Sequence, residues 1–513
     1  MTYDTVLALL KYLETNACLS DSSLIGFSSI VNVWKHRTGR VPGKRARLNG
    51  KYLAEFSSRP GLFRFLESFE WHKRFSQDVS SQMVPPTLFF QNQVVFLTGS
   101  TGHLGACLLF KLVLVVPVAK IYVLIRGSKE QAIASWTALM EPYVHSILAT
   151  KKVHYVTGDM TRPNLGICAS ELVDIANAVT IIINAAANIS LKASLRDSAI
   201  GNCLPALELG RLASSFSSLI SFVQVSSLYA LSFLSDGLVE EKLYTMKDPE
   251  DSLGRILAGR DADSENYAWP YARAKHLMEC LLATRHLGLP LMILRPSSIG
   301  PALFQPFEMY GKPSSMPINS FLSRLMYPST TPNLFHAAAS STSGTNILDE
   351  IPVDLVANIL LQHVQKRTCG VVHASSQFYI PRSFDDFVAD VFKWVPDCWK
   401  EKIPPVTFTV DNTATTGSIA RFYQMSTRNW TFLSSCSCVD KEGPLAVTLD
   451  GHDQEKVAKP KFELKAQNIA KTEVPSTVIP YRARGTYPPG IRQGAASLNI
   501  IPDSNRINAA MHI

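Results

Sequence analysis

Between residues 94 and 301, six short runs rich in β-branched residues, VVFLT, KIYVLI, KVHYVTGD, TIIINAA, ISFVQVSS and LPLMILRPS, alternate with longer helix-like segments. Neighbouring parallel strands must be joined by a crossover of about a dozen residues or more, which a helix supplies. The alternation therefore predicts an α/β domain with a doubly wound, Rossmann-like parallel sheet and helices on both faces.

The flanks have a different texture. Residues 1–88 read as an N-terminal helical segment, with helices near 3–14 and in GLFRFLESFEWHKRF (61–75), closed by Pro85 and Pro86. The stripe Leu62, Phe65, Leu66 and Phe69 suits docking on a core, the alternative being an interfacial membrane helix. The sheet domain is expected over 89–365 and a small C-terminal domain over 366–440. Residues 441–513, polar and rich in Lys, Pro, Gly and Asn, read as a poorly ordered tail.

Several classes are disfavoured. Nine cysteines, paired in spacing only at Cys436 and Cys438, argue against a disulfide framework and for a reducing compartment, and no metal site is expected. The N-terminus lacks the basic-then-apolar order of a secretory signal. ACLLFKLVLVVPVA (106–119) is too short to span a bilayer and carries Lys111, so no transmembrane helix is expected. A net charge of +8 is modest at 513 residues. The basic run KHRTGRVPGKRAR (35–47) suits a solvated loop, with an anionic-substrate site or a membrane surface as alternatives, and nucleic acid is not an expected partner. The expected location is intracellular, cytoplasmic or peripherally membrane-associated; oligomeric state is not legible.

VVFLTGSTGHLGACLLFKLV reads as strand, turn and helix, with Gly99, Gly102 and Gly105 spaced G-x-x-G-x-x-G. Such glycines allow a tight turn, close backbone approach to a pyrophosphate and close helix packing, while the helix N-terminus offers free N–H groups. The alternative is a plain strand-to-helix turn. Arg126 ends the next strand, 21 positions beyond Gly105, where an acid would bind the ribose of NAD. A guanidinium suits a 2′-phosphate, so NADPH is the expected cofactor, unless Arg126 is simply a surface arginine. Asp159 and Met160 in TGDM stand where they would border the adenine.

NYAWPYARAKHLME places Tyr271 and Lys275 one helical turn apart. In a dinucleotide-binding fold the ammonium would lower the phenol's pKa and hold the nicotinamide ribose, while the phenol gives a proton to the oxygen of a carbonyl receiving a hydride. Ser226 and Ser227, closing the strand in FVQVSSLYA, supply the facing hydroxyl.

From about 90 to 365 the chain resembles the NADPH-dependent reductase domain of fatty acyl-CoA reductases, the male-sterility branch of the extended short-chain dehydrogenases. It is also similar to the thioester reductase domains of peptide and polyketide synthases. The resemblance rests on FLTGSTGHLG, IYVLIRG, GDMTRPNLGI, IINAAANIS, FVQVSSLYA, YARAKHLME, LMILRPSSIGPA and DEIPVDLVANILL. IARFYQMSTRNWTFLSS (419–435) resembles the small C-terminal domain of fatty acyl-CoA reductases around Trp430.

The resemblance implies Tyr271 as proton donor, Lys275 as its partner and Ser227 as supporting hydroxyl. For the cofactor it implies Thr98, Gly99, Ser100, Thr101, Gly102, His103, Leu104, Gly105, Arg126, Asp159, Met160, Ala185, Ala186, Tyr271, Lys275, Pro296 and Ser297. His103, Asn184 and Pro205 depart from the family pattern. The implied reaction is hydride transfer from NADPH to an acyl-CoA thioester, giving aldehyde and then primary alcohol. The alternatives are a reductase of carrier-bound thioesters, for which LIGFSSIVNVW (24–34) with Ser29 faintly resembles a carrier, and a non-catalytic NADPH-binding interaction protein.

Overall fold

The computed structural model describes residues 85–473 except 262–265, 330–331, 337–343, 412–417, 434–442 and 448–457. The expected N-terminal helices, the basic run, the segment around Ser29, Cys436, Cys438 and residues 474–513 lie outside the described residues.

Strands β1 (Val94–Thr98), β2 (Lys120–Ile125), β3 (Val153–Thr157), β4 (Ile181–Asn184), β5 (Ser221–Val225), β6 (Leu291–Pro296) and β7 (Gly370–Ala374) form one sheet. Their order is β7-β6-β5-β4-β1-β2-β3, and every neighbouring pair is parallel. The order reverses at β1, so the crevice at the carboxyl ends of β1 and β4 is where such a sheet binds ligands.

Side chains alternate across the sheet with period two, and both faces are covered. Val95, Leu97, Ile121, Val123, Ile181, Ile183, Val223, Met292 and Leu294 enter one core, under α1 (His103–Phe110), α2 (Lys129–Ala149) and α6 (Val353–Gln365). Phe96, Tyr122, Leu124, Ile182, Phe222, Leu291 and Ile293 enter the other, under α3 (Ala169–Ala178), α4 (Leu204–Ala213) and α5 (Pro270–Arg285). Each such aliphatic side chain, fully buried, stabilises the fold by about 1.5–3 kcal/mol. α1 runs on into wider turns over Lys111–Val115 before Pro117. The apolar run 106–119 is thus a helix pressed on the sheet, and Lys111 within it reaches Gln305 Oε1 at 2.6 Å. No helix among the described residues is long and apolar enough to cross a membrane.

Two features differ from the sequence expectations. The boundary at 365 precedes β7, which pairs with β6 from Gly370↔Met292 to Ala374↔Pro296 and completes the sheet. Residues 459–473, assigned to the tail, form a helix, α8 (Lys459–Glu473), packed on α7 (Phe384–Trp394) through Phe462, Ala466, Ile469 and Ala470. Its lysines misled the reading: Lys465 is buried, with Nζ 2.5 Å from both carboxylate oxygens of Glu350, and Lys461 donates to Leu303 O. The partner carboxylate is over a hundred positions away, so composition alone counted these cations as solvated.

Candidate active site

The glycine loop is fixed by backbone against backbone. Gly99 has φ +72°, and a Cβ there would lie 2.6 Å from Ala186 N; one on Gly105 would lie 2.0 Å from Gly99 O. No side chain caps α1, whose first turn follows Gly102, so its leading N–H groups are available to an anion. Ser100 Oγ is buried without a partner among the described residues at the same turn, while Trp136 Nε1 donates to Ser100 O at 2.9 Å. These features fit a pyrophosphate.

Beneath the loop a buried polar ladder crosses three strands. Thr98 Oγ1 donates to Asn184 Oδ1 at 2.6 Å, Asn184 Nδ2 to Gln224 Oε1 at 2.7 Å, and Ala186 N to Thr98 Oγ1 at 3.2 Å. Asn184, one of the departures from the family pattern, therefore ties the ends of β1, β4 and β5 together. Asn202 continues this order by clamping the next loop, accepting from Asn188 N at 2.9 Å and donating to Asn188 O at 3.0 Å. Pro205 directly follows the wider turns over Ala199–Cys203 in a helical run that begins at Leu195, and such turns interrupt the regular bonding that a proline would break.

α5 starts at Pro270, pre-set for a first helical turn, and carries Tyr271 and Lys275 on successive turns. Lys275 is buried and donates from Nζ to Val225 O at 3.0 Å, pinning the helix to the end of β5 just before Ser226 and Ser227. Its Nζ lies 5.8 Å from the Tyr271 ring centre. Ser227 Oγ accepts from Tyr229 N at 3.2 Å, and Ser226 Oγ is buried without a partner. Pro296 and Ser297 end the adjacent strand, with Ser297 N donating to Ala374 O.

The electrostatics differ from the sequence expectation. Burial, with Glu279 adding to it, pushes the Tyr271 phenol above its ordinary value rather than below it. Lys275 is instead the perturbed cation: burial lowers it to about 8, with Glu279 and Cys203 opposing. The ammonium points at Val225 O, so desolvation of the phenol prevails over attraction to the cation.

At the other end of the crevice, Arg126 follows β2 and is exposed, and Asp159 follows β3. Asp159 accepts from Thr161 N and Oγ1, and these bonds, with Arg126 and Arg162 nearby, hold its carboxyl below the usual range. Met160 packs against the core on the α3 side of the sheet. The structure thus places the glycine loop, Ala185, Ala186, Ser227, Tyr271, Lys275, Pro296 and Ser297 at the carboxyl ends of β1, β4, β5 and β6. Arg126, Asp159 and Met160 stand at those of β2 and β3.

Residues 97–360, just over half of the chain, match the family described as male sterility protein, a dinucleotide-binding domain. The chain belongs to that family. Among curated proteins, a putative fatty acyl-CoA reductase of Drosophila melanogaster, CG8303, is 26% identical over 308 residues, 56% of this chain and 54% of that protein. A probable polyketide synthase of Dictyostelium discoideum, number 45, is 29% identical over 240 residues, 45% of this chain and 7% of that protein. The chain spans about half the length of the first fatty acyl-CoA reductases it matches. Among solved structures, a thiolation-reductase di-domain from an archaeal non-ribosomal peptide synthetase shares the fold, with TM-score 0.51 at 16% identity over 77% of this chain and 98% of that one.

Other groups around the site, which the motifs did not single out, are buried and paired. Arg295 and Glu279 are fully buried; Arg295 Nη2 and Nε meet the carboxylate at 2.6 and 3.0 Å, and Nη1 donates to Lys242 O at 2.9 Å. A charge inside LMILRP and an acid one turn after Lys275 were the available signals. His276, beside Lys275, joins Tyr267 OH and Tyr244 O, each at 2.7 Å. His103 packs its ring against Gly311 and Tyr310, and burial lowers it to about 4.

Proposed function

We propose that this protein is an NADPH-dependent reductase of fatty acyl thioesters, acting on acyl-CoA to give an aldehyde and then a primary alcohol. The observation that carries the reading is the bond from Lys275 Nζ to Val225 O, which sets the Tyr-x-x-x-Lys helix against the serine-bearing strand end beside a glycine loop. The fatty acyl-CoA reductase relatives support the substrate class.

NADPH, when bound, would supply a hydride to the carbonyl carbon. Its pyrophosphate would meet the N–H groups after Gly102, and Arg126 with Arg162 near Asp159 supports preference for a 2′-phosphate over a bare ribose. Tyr271 donates its proton to the carbonyl oxygen as negative charge develops there, and Ser227 steadies that oxygen through its hydroxyl hydrogen. Because burial keeps the phenol protonated, the donor is loaded throughout the neutral range. Lys275 restores charge balance when the phenol gives up its proton. The hemithioacetal then expels coenzyme A as its thiolate, the hydroxyl proton returning to the Tyr271 phenolate and the thiolate taking a proton from solvent. In a second round the same groups would protonate the aldehyde oxygen.

The test is consumption of NADPH by the purified full chain with an acyl-CoA series, products being identified by mass spectrometry. Fatty alcohol from wild type and none from Tyr271→Phe is the expected result. Aldehyde alone would restrict the enzyme to one reduction; turnover only with carrier-bound thioesters would replace acyl-CoA as donor. NADPH binding with no turnover of either donor would refute catalysis.

A further inference from the structure

A further apolar cluster, separate from the two cores of the sheet, has Tyr271 packed against it. Its buried members include Trp269, Met425 and Trp430; Leu191, Tyr229, Phe378 and Phe422, which pack on the same cluster as Tyr271, are only half-buried. Residues 419–433, which supply three of these side chains, lie outside the family match at 97–360. They are nonetheless fastened to it. Trp269 Nε1 donates to Phe422 O at 3.0 Å, Trp430 Nε1 to Ser235 O at 3.0 Å, and Trp430–Phe432 pairs in parallel with Gly237–Val239. Rings of Tyr229, Trp269 and Phe422 follow one another at 5.7 and 6.3 Å.

We infer that this strap walls the site taken by the acyl chain of the thioester, and that Phe422 sets the chain length accepted. The inference rests on the proposed reading as an acyl thioester reductase. A carbonyl oxygen within hydrogen-bond reach of the Tyr271 phenol fixes where the chain begins, so its first methylenes must pass the residues packed around that tyrosine. Each methylene taken out of water there strengthens binding about fourfold. The pantetheine arm is a poorer occupant, because its amides would face rings and aliphatic groups without hydrogen-bond partners.

The experiment measures binding on the full chain with NADP+, which donates no hydride, and turnover with NADPH, using acetyl-, octanoyl-, lauroyl- and palmitoyl-CoA. Binding is read from quenching of tryptophan fluorescence. Wild type should bind more tightly with each lengthening up to an optimum. Phe422→Ala should move that optimum to longer chains and change the palmitoyl-to-octanoyl ratio of kcat/KM about tenfold. Phe422→Leu should fall between, and it carries the same comparison if the alanine variant fails to fold, judged by NADPH affinity and Tm. A profile unchanged in shape, or acetyl-CoA weakened as much as palmitoyl-CoA, overturns the inference and points to a structural or pantetheine contact. If binding follows chain length and shifts with Phe422 while wild type reduces no acyl-CoA, the acyl site stands and the reductase reading falls.

Discussion

The two ends of the crevice are built by different means. At the cofactor end, backbone packs on backbone: Gly99 and Gly105 have no room for a Cβ, and the fit depends on what these residues lack. Around Tyr271, side chains do the positioning. Arg295 with Glu279, 16 positions apart, Lys275 with Val225 O and the rings of Trp269 and Phe422, over a hundred positions apart, hold one another in place. A short local motif suffices for the first construction, whereas the second needs the whole tertiary structure.

The sharpest way to separate the ends is Tyr271→Phe. It should lower kcat/KM by about 10²–10⁴-fold while weakening NADPH binding far less; a comparable loss of cofactor binding would show the ends to be one unit. Arg295→Met leaves Glu279 as a buried, unpaired charge and should cost about 3–5 kcal/mol in chemical denaturation. Pairing it with Glu279→Leu should recover most of that loss. Failure to recover would mean that Arg295 acts chiefly through Lys242 O and not through the ion pair.

At the cofactor end, Gly99→Ala meets Ala186 N and a left-handed backbone, a strain of about 1–2 kcal/mol before any clash. NADPH affinity should fall in titration, with Tm lowered. Arg126→Ala should reduce the preference for NADPH over NADH by about tenfold, from loss of one charge-assisted contact; equal kcat/KM ratios in variant and wild type would leave Arg126 a surface residue. The mildest perturbation is pH. Lys275 is cationic below about 8 in the free protein, so kcat/KM should be level below that value and decline above it as the ammonium is lost. The Tyr271 phenol, pushed upward, should add no limb in the neutral range. An acidic limb in place of the alkaline one would contradict this assignment.

How much was legible follows from the same contrast. The alternation of strands and helices announced the parallel sheet because periodicity is a local property; Gly99 and Gly102 follow β1 and Ser227 follows β5, two strands away, while Tyr271 and Lys275 stand on α5, which Lys275 joins to the end of β5. Residues 459–473 did not announce themselves, since nothing near Lys465 in the sequence says that Glu350 awaits it. Nor did β7, whose neighbour β6 lies beyond an intervening stretch of some seventy residues.

The amino-acid sequence by itself determined the sheet, its crevice and the family, because side-chain periodicity, glycine spacing and short motifs act over a few residues. Only the tertiary structure decided the electrostatic state of the site. Whether Tyr271 is raised or lowered depends on how much water burial removes and where Lys275 Nζ points, and both are set by groups folded in from elsewhere in the chain.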